Sequence, residues 1–280
     1  MGASGPSLTA TTVGGYLRRW QRGFPRPLVD LSRVETIDPF AACFLAIYAR
    51  WCSEAGGRMR LLLPAREEAL RELVRAGLFR LAKEGIWTDR SLPEVSDEGD
   101  GFSTITRVEE EAGVRVTVDR VCGALEERFP LGETSIRVLA GAMLELAQNI
   151  PQHANPLKED IDPWGLLAVR EYRDHIHLVV MDKGVGLTKS LGLNPRYRDV
   201  SDGEALEAVL IQGASRFTDP GRGGALRRIR EVVLRNEGRL FVRSGSAWFW
   251  QAEVEWGIEG VSPFPGVQVS IQLPRALFFG

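Results

Sequence analysis

The stretch PLVDLSRVETIDPFAACFLAIYARWCSEAGGRMRLLLP, residues 27–64, changes hydrophobic rhythm twice, and few architectures accommodate both rhythms in so short a piece of chain. Residues 28–31 are a brief apolar run suited to a strand. Asp38 can then accept hydrogen bonds from free amides as an N-cap, and Pro39 fits the first helical position, where its missing N–H has no partner to lose. Phe40, Cys43, Phe44, Ile47, Tyr48 and Trp51 recur at three- and four-residue steps, and Gly56-Gly57 supplies a permissive helix end. RMRLLLP, 58–64, reads as a second strand, and a second helix through Leu70, Leu73 and Val74 stops near Gly77. The fold class is therefore α/β, opening with a strand–helix–strand–helix module.

With 280 residues the chain has room for two ordinary cores, so a seam is expected. Residues 92–113, LPEVSDEGDGFSTITRVEEEAG, are acidic, contain Gly and Ser and lack periodicity. They read as a linker or hairpin between a first domain at 15–91 and a second at 114–280. Residues 1–14 are small and polar, with neither a basic segment nor an apolar stretch, so a flexible tail is expected and a signal peptide is not. No run approaches the roughly 18 to 20 apolar residues of a membrane span. Cys43, Cys52 and Cys122 form no CxxC pair, which fits reduced thiols in a cytoplasmic protein. A net charge of −2 gives no general attraction to nucleic acid. The basic stretch LRRIREVVLR, 226–235, alternates with apolar residues at helical spacing, as a solvated helix face does. Trp248, Phe249 and Trp250 suit either a partner surface or one face of a core strand.

Three pieces of the second half carry chemistry. In AMLELAQNIPQHA, 142–154, Glu145, Asn149 and His153 fall along one helical stripe, opposite Leu139, Met143, Leu146 and Ile150. Pro151 removes a helical hydrogen bond and is expected to kink or end the helix there. HIHLVVMDKGVGL, 175–187, is an apolar strand that delivers Asp182 to its tip and then turns on Gly184 and Gly186, where backbone can approach a ligand closely. DPGRGGALRRIREVV, 219–233, is a glycine-rich loop running into a helix, an arrangement whose amides favour an anion. Around them GLLAVREYR, GRLFVRSG, AWFWQAEVEW and GVQVSIQLP read as strands, with period-two alternation at 248–254 and 267–273. His175 and His177 share a strand face, but no third metal ligand accompanies them.

Residues 26–90, through LVDLSRVETIDPFAACFLAIYARWCSEAGGRMRLLLP and LVRAGLFRL, resemble the STAS domains of bacterial anti-sigma-factor antagonists. In that family a Ser or Thr commonly follows the capping Asp and accepts phosphate. Here Pro39 and Phe40 stand there without a hydroxyl, so the resemblance implies docking or sensing for this module.

Residues 115–274 resemble the gyrase, chaperone, histidine-kinase and MutL (GHKL) ATPases of the Bergerat fold, the three pieces matching the N, G1 and G2 boxes in order. The resemblance implies a mixed sheet covered by helices on one face, with ATP and Mg2+ as cofactors. It also implies that Glu145 is the general base, that Asn149 ligates the magnesium ion, and that Asp182 accepts a hydrogen bond from the adenine amino group. Gly184 and Gly186 would pass beside the base, Gly221, Arg222, Gly223 and Gly224 would close over the phosphates, and His153 would be a phosphate-side group. Residues 188–220 would form a mobile lid with its own helix at 203–212. Val267 stands where many members of the family carry Thr. No GxxxxGK[ST] occurs, and no helical hairpin with a phosphoacceptor histidine precedes the ATPase-like region.

The expected function is an ATP- and magnesium-binding regulatory protein with slow ATPase activity that contacts a signalling protein, with a homodimer as a further expected assembly. The alternatives are a serine/threonine kinase of the anti-sigma-factor type, acting on a separate protein, and a non-enzymatic ATP-sensing module.

Overall fold

The computed structural model describes residues 6–93, 103–108, 111–128, 133–153, 164–217 and 224–275. The chain forms two compact units, Met1–Ile105 and Thr106–Gly280.

The first unit runs β1 (Ser7–Leu8), α1 (Val13–Trp20), β2 (Leu28–Asp30), β3 (Thr36–Ile37), α2 (Pro39–Glu54), β4 (Met59–Leu62), α3 (Glu67–Arg75), α4 (Leu78–Leu81) and β5 (Ile86–Thr88). Strands β2, β4 and β5 form a parallel sheet in that order. Parallel neighbours need a crossover, and α2 supplies it between β2 and β4, as α3 and α4 do between β4 and β5. The start of α2 is fixed twice: Asp38 Oδ1 accepts from the Ala41 amide at 2.8 Å, and Pro39 occupies the first turn. Its residues from Pro39 to Ala49 are all buried, as expected of a helix apolar on every side. Gly56, with φ of 73°, follows the helix in the left-handed region.

The expected tail is corrected from residue 7 onward. Ser7 and Leu8 pair in parallel with Thr36 and Ile37, and Leu8, Ala10 and Val13 are buried. A two-residue strand is too short to show periodicity, and two glycines dilute the helical signal of VGGYLRRW.

The second unit runs β6 (Ser103–Val108), α5 (Glu111–Arg128), α6 (Glu133–His153), β7 (Gly165–Glu171), β8 (His175–Asp182), α7 (Gly186–Leu191), α8 (Asp202–Glu207), α9 (Ala225–Arg235), β9 (Arg239–Ala252) and β10 (Glu255–Pro274). Its five-stranded sheet has the order β6-β7-β8-β10-β9, with antiparallel pairing from β7 through β9. Strand β6 lies inside the stretch expected to be linker or hairpin, so that stretch is in part sheet. Helix α6 packs against β7 and β8, and α9 against β9 and β10.

Two local expectations change. Helix α6 runs two residues past Pro151 and ends at His153; the proline has no N–H for the Ala147 carbonyl, and the helix stops within a turn of it. AWFWQAEVEW is not one strand but contains the β9–β10 turn: Ala252 pairs with Glu255, and Glu253 takes φ of 54°. Phe249 is fully buried and stacks on Trp256 at 5.8 Å, so this aromatic belongs to the core. Residues 203–212, expected to be helical, fall within α8 and a π-helical turn at Ala208–Gln212.

All three cysteines are free and buried. Among the described residues no helix is long and apolar enough to cross a membrane, and no cluster of metal-ligating side chains occurs.

Candidate functional site

Antiparallel register puts Val180 of β8 opposite Val269 of β10, so that Val180, Asp182, Val267 and Val269 share one sheet face. Above them lie Leu146, Asn149 and Ile150 of α6 and Leu226 of α9, and together they line a cleft of about 810 Å³, the solvent at its mouth included. Val209, Ala214, Ser215 and Arg216, from the expected lid, form another wall.

Asp182 is the buried carboxylate of this cleft, with 7% of its surface exposed. Its Oδ1 accepts from the Gly184 amide at 2.7 Å and the Val267 amide at 3.3 Å. Among the described residues nothing donates to Oδ2. Burial pushes the carboxyl up to about 6, against the downward pull of the two amides. A buried, half-satisfied carboxylate is costly unless something else completes it.

The backbone around Asp182 is glycine-dependent at one point above all. Gly266 has φ of 80°, and a Cβ there would stand 2.1 Å from the Asp182 carbonyl oxygen and 2.6 Å from Oδ1. Gln268 braces the same junction, its Nε2 donating to the Asp182 carbonyl at 3.3 Å and to that of Pro265 at 2.8 Å. Val267 brings no hydroxyl, yet one stands at this corner. Ser244, the cross-strand partner of Val267, accepts from the Leu187 amide at 2.8 Å and lies beside Gly186.

Asn149 also lines the cleft, and among the described residues its side-chain amide makes no hydrogen bond. Gly224 takes φ of 74° as the N-cap of α9 and has no side chain to cap it; Gly224, Ala225 and Leu226 at the start of that helix line the cleft. Gly186 completes the predicted residues that line it. Gly184 contributes through its amide to Asp182.

Glu145 departs from expectation. One turn before Asn149, it is absent from the described cleft lining, and its Oε1 accepts from Arg228 Nε at 3.0 Å and from Nη2 of the same side chain. An opposite charge on the neighbouring helix α9 draws the carboxylate aside. Gly221, Arg222 and Gly223 lie outside the described residues, as does the side chain of His153.

No protein-family model matches this chain, and no curated protein matches it.

Sequence reasoning missed Ser190, Ser244, Arg216 and Arg228. Ser190 and Ser244 carry no local signal, because strand pairing and the α7 turn bring them in from afar. Arg228 had one: it lies four residues after Gly224, where a helix turns a side chain back toward its own N-terminus. His177, in contrast, is a core histidine: Nε2 lies 2.8 Å from Ser270 Oγ, and burial lowers its pKa to about 3.

The lid segment is fastened at Asp202. Its carboxylate accepts from Thr188 Oγ1, from the Ser246 amide at 2.8 Å and from Ser246 Oγ at 2.7 Å. Burial pushes this carboxyl up, but the hydrogen bonds from Thr188 and Ser246 outweigh it and hold the group below its ordinary value.

Proposed function

We propose that this chain is an ATP- and magnesium-binding regulatory protein of the GHKL type with slow ATPase activity, its cleft in the second unit being the nucleotide site. The observation that carries the reading is the convergence on one apolar cleft of Asp182 Oδ2 and the Asn149 amide, both without partners among the described residues. The flat apolar walls at Val180, Leu146, Ile150 and Val269 suit a planar base. Asp182 is placed to accept its exocyclic amino hydrogen, and Asn149 offers an amide oxygen to a hard cation. The N-terminus of α9, begun by Gly224 on the cleft wall, favours the phosphates. When bound, magnesium-complexed ATP supplies the scissile phosphoanhydride. Glu145, once free of Arg228, orients or deprotonates the attacking water.

In the first unit, Pro39 and Phe40 are buried and both Asp38 oxygens accept backbone amides, which speaks against phosphate acceptance at this turn. The Glu145–Arg228 pair favours one second reading, a module that binds ATP without hydrolysing it.

Phosphate release from Mg-ATP, compared between wild type and Glu145→Ala, tests the proposal. Release above that of the variant supports the ATPase; binding with the nucleotide intact after long incubation supports the sensor; absence of binding removes both.

A further inference from the structure

The Arg228 guanidinium faces two ways. Nε and Nη2 donate to Glu145, while Nη1 lies 3.5 Å from the point where a Cβ on Gly224 would stand, and Gly224 is cleft wall. The Arg228 amide is tied to the Gly224 carbonyl at 3.0 Å, which fixes this residue in the first turn of α9. Its side chain is 58% exposed and that of Glu145 29% exposed. An ion pair this open to water is weakly held. A guanidinium also binds phosphate oxygens through the same planar fork that it offers a carboxylate. One cation thus stands between the expected general base and Gly224, the cleft-lining start of α9, a helix end that favours an anion.

We propose that Arg228 senses the terminal phosphate of the nucleotide, exchanging Glu145 for that phosphate when ATP is bound and returning to Glu145 when it is absent. The inference rests on the nucleotide reading of the cleft. With two phosphates the exchange has no partner, so Glu145 stays paired and unable to act as a base. With three, the same movement that binds the substrate frees the base, and catalytic competence is coupled to the triphosphate state. Arg228 acts here as a binding and positioning residue; Glu145 remains the group that touches the reacting water.

The test is calorimetric titration of the full chain with Mg-ATP and Mg-ADP, for wild type, Arg228→Gln, Arg228→Lys and Glu145→Gln. Arg228→Gln is expected to weaken ATP by about tenfold or more and ADP by less than about threefold. Arg228→Lys should recover part of that loss. Glu145→Gln, which removes the competitor for Arg228, should tighten ATP and leave ADP unchanged. Circular dichroism of each variant reports whether it folds, and Arg228→Lys keeps the comparison informative if the glutamine variant does not. Equal weakening of ATP and ADP by Arg228→Gln, or no change in either, overturns the inference while leaving the nucleotide site intact. Failure of wild type to bind ATP and ADP overturns both.

Discussion

Asp38 and Asp182 stand in similar local settings, each at the end of a strand, and the chain uses them in opposite ways. Asp38 Oδ1 accepts from Ala41 and Oδ2 from Ala10, at 2.8 and 3.3 Å. Asp182 accepts two amides as well, from Gly184 and Val267, but both fall on the same oxygen. One carboxylate is closed by backbone on both sides and acts as a helix cap; the other has an oxygen to which no described residue donates. The difference comes from what lies beyond the acid. Pro39 commits the chain to a helix whose first amides turn back onto Asp38, whereas the strand ending at Asp182 meets glycines and the kinked Gly266 corner of β10.

If the second unit holds the chemistry and the first does not, substitutions should separate cleanly. The largest expected effect is on turnover: Glu145→Gln should lower phosphate release by about 10²- to 10⁴-fold, and Asp38→Ala should leave it unchanged. Loss of turnover in both would break the contrast.

Two glycines sharpen it. Gly56 and Gly266 have nearly the same φ, 73° and 80°, but nothing lies within 4 Å of a Cβ at Gly56. Gly56→Ala should cost about 1 kcal/mol from the left-handed backbone alone. Gly266→Ala adds a collision with Asp182 and should cost about 3 kcal/mol or more. Denaturant unfolding checks both.

The open carboxylate should also show in the pH dependence of stability. Burial raises Asp182 from 3.8 to about 6 in the folded protein. Below 3.8 it is protonated whether folded or not, and its contribution is fully present; that contribution is lost as pH rises through about 6. The loss is on the order of 3 kcal/mol. The ligand-free wild type should therefore fall in stability relative to Asp182→Asn between about pH 4 and 7, and the gap should be flat above. A gap that does not change with pH contradicts the burial argument. The smallest expected effect is that of the closed cap: Asp38→Ala should cost about 1 kcal/mol by thermal or denaturant unfolding, with ATP affinity unaltered.

Much of this contrast was legible before any coordinates. The cap at Asp38-Pro39, the strand ending at Asp182 and the glycine start of α9 are local patterns, in which the residues that define the element are adjacent in sequence. What stayed hidden depends on distant pairing. Leu8 becomes a strand residue only beside Ile37, and Ser244 meets the Leu187 amide only because its partner is Val267. The Glu145–Arg228 pair spans separate helices, so the stripe that placed Glu145 with Asn149 could not reveal the competing cation. The β9–β10 turn at Glu253 was obscured for another reason: neither Glu253 nor Val254 is a usual turn former, and the alternation of VEW continued across it.

The central proposal is that Asp182 Oδ2 selects an adenine nucleotide in the cleft. Titration of wild type and Asp182→Asn with Mg-ATP and Mg-GTP measures it directly. Wild type should bind ATP and discriminate against GTP, and the asparagine variant should lose about 10- to 100-fold in ATP affinity while changing little toward GTP. Equal binding of both nucleotides by wild type, or ATP affinity unaffected by the substitution, would contradict it.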